Sequence, residues 1–278
     1  MRSIRAVRLL ALSALLSLIS LTGSAQTPQA PAQPFEPQVG QAGKDVVWVP
    51  TPQALVDKML DMAKVTPADY LIDLGSGDGR TVITAAKRGV RALGIEYNPD
   101  MVELSKENAV KEKVTDKATF MKADLFESDF SKATVITMFL LPSINMKLRP
   151  QLLNLKPGTR IVSNSFTMED WQADETATVT EGCPNWCTAH FWLVPAKVEG
   201  SWQLDKGGEL QLTQQFQMVS GSLASTSISN GRLRGEDITF SVGNAAYIGR
   251  VEGNVMKGSI KGGSGGTWTA TRRQASNP

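Results

Sequence analysis

An α/β fold, with helices on both faces of a mostly parallel sheet and a small antiparallel β-meander domain after it, is what this sequence predicts. Three observations carry the prediction. Residues 70–99, YLIDLGSGDGRTVITAAKRGVRALGIEYNP, read as strand, glycine turn, helix, strand. Short apolar runs and amphipathic helical stretches then alternate to about residue 196. From about Val198 the helical period stops, Gly, Ser and Thr become frequent, and apolar residues fall on alternate positions.

At 278 residues and 41% hydrophobic content the chain can hold one large or two modest cores. Residues 1–25 read as a secretory signal peptide. Arg2, Arg5 and Arg8 make a basic start, residues 9–21 an apolar run of 13, and Gly23-Ser24-Ala25 a small-residue cleavage site. The run is short for a membrane span, so no stable span is expected after cleavage, and export to the periplasm or the extracellular space is. Three arginines and no acid precede Gln26, so cleavage takes the formal charge from +2 to −1. A near-neutral chain gives no electrostatic case for a nucleic acid or a membrane surface. Residues 26–45 read as a disordered linker, rich in Pro, Gln and Ala up to Pro37.

The α/β domain is expected over 46–196. Thr51 reads as an N-cap with Pro52 at the first helical position. Val56, Met59, Leu60 and Ala63 follow at i, i+3, i+4 and i+7, predicting an amphipathic helix over 52–64. Leu71, Ile72 and Leu74 make the first strand; Val82, Ala85 and Ala86 mark a helix over 80–87, and 91–96 is the second strand. Asn98-Pro99 repeats the cap-then-proline device and opens a helix to about Lys111. A third strand over 118–123 ends at Asp124-Leu125, and a fourth covers 134–140. A helix from Ser143 to about Leu155 carries Ile144, Leu148 and Leu152 on one face. The turn Lys156-Pro157-Gly158 leads into a fifth strand over 159–165.

The chemistry concentrates at the glycine turn. Gly75, Gly77 and Gly79 let the backbone turn sharply and let a ligand approach without meeting a Cβ. The helix opened by the turn directs its free N–H groups at the bound molecule. Glu96, at the end of the second strand, can accept hydrogen bonds from both hydroxyls of a ribose. The reading is a nucleoside-containing ligand in the crevice beyond the strand ends. A dinucleotide site wants G-x-G-x-x-G, but here the third glycine comes one residue early and Arg80 holds the position. Asp73, two residues before Gly75, would repel a pyrophosphate and suits a ligand with an ammonium group. A nicotinamide-dependent oxidoreductase is therefore disfavoured.

DLGSGDG, from Asp73 to Gly79, resembles the D-x-G-x-G-x-G motif of the class I S-adenosylmethionine (SAM) methyltransferases at every defined position. The resemblance implies a Rossmann-like class I sheet, closed by an antiparallel hairpin for which 176–179 and 190–194 are available. It implies SAM as cofactor, held by Asp73, Gly75, Gly77, Gly79, Glu96, Asp124 and Leu125, with Asp124 bonding the exocyclic amine of adenine. VWVPTP (47–52), DLGSGDGR, GIEYNP and ADLFESDF, within about residues 46–171, are similar to one branch of that family. It is the branch of protein-lysine methyltransferases resembling the ATP synthase c-subunit lysine methyltransferase. This closer likeness implies methyl transfer to nitrogen, with a protein lysine as the acceptor, and puts Thr51, Pro52 and Phe139 near the acceptor. A helix-capping role for Thr51 and Pro52 stands equally open.

Proximity and in-line orientation supply much of the rate in such a transfer, and the amine must shed a proton to a base or to solvent. Family members acting on planar nitrogens carry Asn/Asp-Pro-Pro-Tyr/Phe at the end of the fourth strand. Here Met138-Phe139-Leu140-Leu141-Pro142 lacks the polar first residue. That argues against an adenine, cytosine or glutamine acceptor and leaves the catalytic base unknown. Cys183 and Cys187, the only cysteines, stand in CPNWC. In an exported chain a small disulfide is favoured over free thiols or a metal site. No metal is expected, because zinc would need more ligands and His190, the single histidine, sits in an apolar strand where a structural role is favoured.

Over 197–278, Leu210, Leu212, Phe216 and Met218 share one parity, as do Ile238, Phe240 and Val242. Glycine turns separate what read as successive hairpin strands. The region loosely resembles a lipocalin-like half barrel with Trp202 and Trp268 near its closure, in a substrate-tethering or a supporting role. One competing reading spans the whole chain: an exported, non-catalytic SAM- or nucleoside-binding protein with a methyltransferase fold. SAM is made in the cytosol, which motivates it; the intact set Asp73, Glu96 and Asp124 argues against a decayed site.

Overall fold

The computed structural model describes residues 35–273, so the expected signal peptide and the first part of the linker lie outside the described residues. The elements run α1 (Gln53–Met62), β1 (Tyr70–Leu74), α2 (Arg80–Lys87), β2 (Arg91–Glu96), α3 (Pro99–Lys111), β3 (Ala118–Lys122), β4 (Val135–Met138), α4 (Pro142–Leu152), β5 (Arg160–Asn164), β6 (Glu175–Thr178) and β7 (Thr188–Leu193). They build a seven-stranded sheet in the order β3-β2-β1-β4-β5-β7-β6. β1 to β5 pair in parallel, and β7 runs antiparallel to both β5 and β6. The strand order reverses at β1, between β2 and β4, so the crevice beyond its carboxyl end is where such a sheet takes a ligand.

Alternation along β1 distributes its side chains to two cores. Leu71 joins the α1, α2 layer with Leu55, Met59, Val82 and Ala85. Ile72 and Leu74 join the opposite layer with Ile144, Leu148 and Leu152 of α4. One local expectation fails: α1 begins after Pro52, and no side chain caps it. The Thr51 hydroxyl instead accepts a hydrogen bond from Asn164 Nδ2 at 3.3 Å, from the far end of β5. A tertiary partner has taken the oxygen that a local cap would use.

The remaining strands are β8 (Gly200–Leu204), β9 (Glu209–Gln215), β10 (Met218–Leu223), β11 (Thr226–Arg234), β12 (Asp237–Val242), β13 (Ala245–Glu252), β14 (Val255–Lys261) and β15 (Gly266–Arg272). Each pairs antiparallel with the next, and β15 returns to β8 through Ala270–Leu204, Thr271–Gln203 and Arg272–Trp202. The expected half barrel is thus a closed one, which removes the free edges that an open meander would expose. Trp202, Phe240 and Trp268 are fully buried in its core. Met218, on the same parity as the buried Leu210 and Leu212, points outward: Phe216 turns with a φ of 54°, after which Val219 faces in. Phe216 leaves the barrel and stacks on Trp171, 5.9 Å between centroids. Gln217 Nε2 donates to Gln172 O at 2.8 Å, and Arg232 pairs with Asp174 at 2.7 Å. Sheet and barrel form one compact unit.

Candidate active site

The glycine turn between β1 and α2 is shaped by what lies against it. Gly77 has a φ of 54°, and a Cβ there would sit 2.6 Å from Trp48 Nε1. Gly79, φ 82°, would drive a Cβ to 2.7 Å from the Phe120 ring. From α3, Ser105 Oγ donates to Gly77 O at 2.9 Å and Asn108 Nδ2 to Asp78 O at 3.1 Å, fixing the loop from behind. Gly77→Ala combines a left-handed backbone with a collision against an indole. We expect it to weaken SAM binding at least ten-fold by calorimetry; an unchanged affinity would mean that the turn is not the cradle.

The cavity beyond the strand ends is lined by Thr51, Asp73, Gly75, Ser76, Gly77, Glu96, Asp124, Leu125 and Phe139 among others. All but Ser76 are among the sequence-predicted residues; of that predicted set, Gly79 and Pro52 do not line the cavity. Gly79 precedes α2 and its missing Cβ makes room for Phe120 and Ser105. Pro52 precedes α1 as its N-cap, its carbonyl accepting from Leu55 and Val56 N–H.

Asp73 is buried at the cavity wall, with Thr137 Oγ1 donating to its Oδ1 at 2.6 Å. Burial pushes its carboxyl up to about 7; the Thr137 hydrogen bond opposes the shift, and the charges of Glu96 and Asp78 add to it. Glu96 Oε2 accepts from Gly77 N at 2.9 Å, while Oε1 accepts from Tyr97 N at 2.9 Å and Asn98 N at 3.0 Å. The carboxylate that closes β2 is thereby fixed to both the glycine turn and the start of α3. Asp124 accepts from Lys44 Nζ and, at 2.9 Å, from Phe126 N. The Lys44 hydrogen bond, then that of Phe126, holds its carboxyl below the usual range. Lys44 also lies 4.9 Å from the Tyr97 ring centroid.

Sequence reasoning missed the strap that covers this crevice. Gly40 N donates to Trp48 O at 2.8 Å and Trp48 N to Gln41 O at 2.9 Å, folding residues 41–51 along the cavity. The expected linker ran through residue 45, so Lys44 and its pairing with Asp124 had no signal. Arg80 had one, as the residue out of place in a dinucleotide motif. Its Nη2 pairs with Asp78 at 2.6 Å and its Nη1 donates to Thr51 O at 2.9 Å. One guanidinium thus ties the glycine turn to the V-P-T-P segment. Asn164, the partner of Thr51, carried no local signal at all.

Cys183 and Cys187 are joined as a disulfide, Cα atoms 5.8 Å apart. His190 accepts or donates through Nδ1 to Thr176 Oγ1 at 3.1 Å and stands outside the cavity lining. Among the described residues no group of three or more His, Cys, Asp or Glu is placed to hold a metal, and no helix is long and apolar enough to cross a membrane.

Comparison with known proteins finds relatives among methyltransferases. A family model described as the ANTKMT methyltransferase domain matches residues 73–175. A protein-lysine N-methyltransferase of Saccharolobus islandicus (strain REY15A) is 45% identical over 143 residues, 50% of this chain and 89% of that protein. The human lysine N-methyltransferase of the ATP synthase c-subunit is 33% identical over 128 residues, 46% of this chain and 54% of the relative. The chain thus spans about half the length of that second relative. A solved structure from Salinibacter ruber, described as an RNA methyltransferase in complex with S-adenosyl-L-homocysteine, is 46% identical with a TM-score of 0.51. The match covers 54% of this chain and 96% of that one.

Proposed function

Because this chain belongs to the family of SAM-dependent protein-lysine N-methyltransferases, we propose that it transfers the methyl group of SAM to the side-chain amine of a lysine in a protein. The observation that carries the reading is the cavity itself. It sets a buried carboxylate, a glycine cradle with no room for a Cβ, and a second carboxylate fixed at the end of β2 around one crevice. Ser76 Oγ lines it too, buried and with no hydrogen-bond partner. That donor set fits SAM: Asp73 for its ammonium, Glu96 for the ribose hydroxyls, Asp124 for the adenine amine.

SAM supplies a methyl group on a sulfonium centre, activated for transfer to a nucleophile. The chain's own contribution is binding, orientation and exclusion of water. The strap over 41–51 closes one side, with Trp48 against Gly77. Met138, Phe139 and Leu140 at the end of β4 make the opposite wall apolar, with no carboxylate among them. An incoming amine therefore loses its proton to solvent rather than to a base on that wall.

We further place the mature chain outside the cytoplasm. The basic, apolar, small-residue order of residues 1–25 supports this, as does a disulfide, which persists in oxidising compartments. Cell fractionation with N-terminal sequencing checks it: a periplasmic or secreted chain starting at Gln26 is expected, and an uncleaved cytoplasmic chain overturns it. The test of the transfer is incubation of the chain from Gln26 with methyl-labelled SAM and whole-cell protein and RNA. Label on lysine side chains is the expected result. Label in RNA moves the acceptor class to the one named for the Salinibacter ruber structure, and no label favours a binding protein.

A further inference from the structure

Three aromatic side chains meet beside the cavity from three separate segments. Phe139, at the end of β4, lines the cavity itself. Phe166 follows β5 and stacks on it, 6.0 Å between centroids and 22° between planes. Trp186, in the β6–β7 loop, lies 6.0 Å from Phe139 and 5.4 Å from Phe166, tilted by 57° and 45°. The phenylalanines are half-buried, whereas Trp186 is 46% exposed, a large apolar ring left facing solvent.

Holding that ring there has a structural cost. Trp186 has a φ of 57°, a left-handed conformation rare for a bulky residue. The Cys183–Cys187 bond brackets it, and Val179 N donates to Cys187 O at 2.9 Å to close the loop. On the cavity side, Phe166 N donates to Asn164 O at 2.7 Å, and Asn164 Nδ2 donates to Thr51 Oγ1. The aromatic cluster is thus continuous with the residues over the cofactor crevice.

We propose that Phe139, Phe166 and Trp186 form the site that receives the acceptor lysine, with the disulfide positioning Trp186. This rests on the lysine-amine reading above. An aromatic face attracts an ammonium without needing its N–H donors. It therefore holds lysine and its methylated forms alike, which a carboxylate requiring N–H donors would not. The rings also cover the apolar stem of the side chain.

The test uses the chain from Gln26 loaded with S-adenosyl-L-homocysteine. It is titrated with Nα-acetyl-L-lysine N-methylamide, its Nε-trimethyl form and the uncharged norleucine analogue, with affinities read by calorimetry for every form and the Trp186 indole N–H followed by NMR in the wild type. Both cationic probes are expected to bind and shift that resonance, with norleucine at least five-fold weaker. Trp186→Ala should lose at least five-fold for the lysine probe while S-adenosyl-L-homocysteine affinity stays within two-fold, and Trp186→Phe should keep most of the binding. The Cys183→Ser/Cys187→Ser double variant should fall between. Failure of both cationic probes to bind, equal binding of norleucine, or wild-type binding by Trp186→Ala would each overturn the site. Lysine labelling with unchanged Trp186→Ala binding removes this inference alone. Probe binding lost in Trp186→Ala, with no methyl ever reaching lysine, removes the transfer reading and leaves the aromatic site.

Discussion

Asp73→Asn is expected to weaken SAM binding about 10- to 100-fold at pH 8 while making the ligand-free protein more stable. The first effect is the loss of a charge-assisted hydrogen bond to a buried carboxylate, about 1.5–3 kcal/mol. The second follows from the displaced titration. Buried at the end of β1, Asp73 has its carboxyl raised from 3.8 to about 7. Below 3.8 the group is protonated in both folded and unfolded chains. Between 3.8 and about 7 the unfolded chain ionises and the folded chain does not, so this group's contribution falls as pH rises. Above 7 the buried charge is a standing cost, relieved by asparagine, whose carbonyl still accepts from Thr137 Oγ1. The same shift predicts wild-type SAM affinity rising with pH up to about 7 and then levelling, relative to a flat Asp73→Asn profile. Calorimetry at pH 6 and 8 with thermal melts of the ligand-free forms reads both. Equal affinities for wild type and variant would remove the ammonium from Asp73. Glu96 is the poorer test: three backbone N–H groups donate to it, so its truncation also loosens the turn.

How much of this was legible in the sequence depended on the range of the interactions. α2 runs over Arg80–Lys87, as its helical spacing predicts, and the β6–β7 hairpin closes the sheet next to β5. The helix is specified by periodicity and glycine punctuation within a dozen residues, whereas the hairpin was expected from the family resemblance. Two acids that line the cavity were legible for a similar reason, since Asp73 and Glu96 sit at fixed offsets from one turn. What escaped the sequence is non-local. The Thr51 hydroxyl looked like a cap because nothing nearby announces Asn164, 113 residues on. Lys44 looked like linker because its partner, Asp124, lies 80 residues away. Met218 shares the parity of Leu210 and Leu212 yet points outward, and a parity count does not see the chain reverse at Phe216, where φ is positive. The eighth pairing of the barrel, β15 on β8, is likewise invisible until both ends of the domain are in place.

The second large effect is expected at Trp171, where the sheet's core meets the barrel. This side chain is fully buried between the two halves of the described chain, 6.1 Å from Trp192 and 5.9 Å from Phe216 between ring centroids. Arg149, on α4, stands 5.1 Å from the Phe216 ring centroid. Trp171→Ala opens a large cavity, for which about 3–5 kcal/mol is typical. Its indole N–H, though, is buried with no partner, so deleting it returns part of that cost and places the expectation near ~3 kcal/mol. Trp171→Phe separates the two contributions: it keeps most of the ring and discards the orphan donor, so a loss below about 1.5 kcal/mol is expected. Because Trp171 joins the sheet's second core to the barrel through Phe216, wild type is expected to unfold in urea as one transition, with far-UV CD and tryptophan fluorescence coincident. In Trp171→Ala the midpoint should fall, and the two probes should separate if the barrel outlasts the sheet. Two transitions already present in wild type would show that the barrel is a separate folding unit, and that Phe216, Gln217 and Arg232 only rest on the sheet without coupling to it.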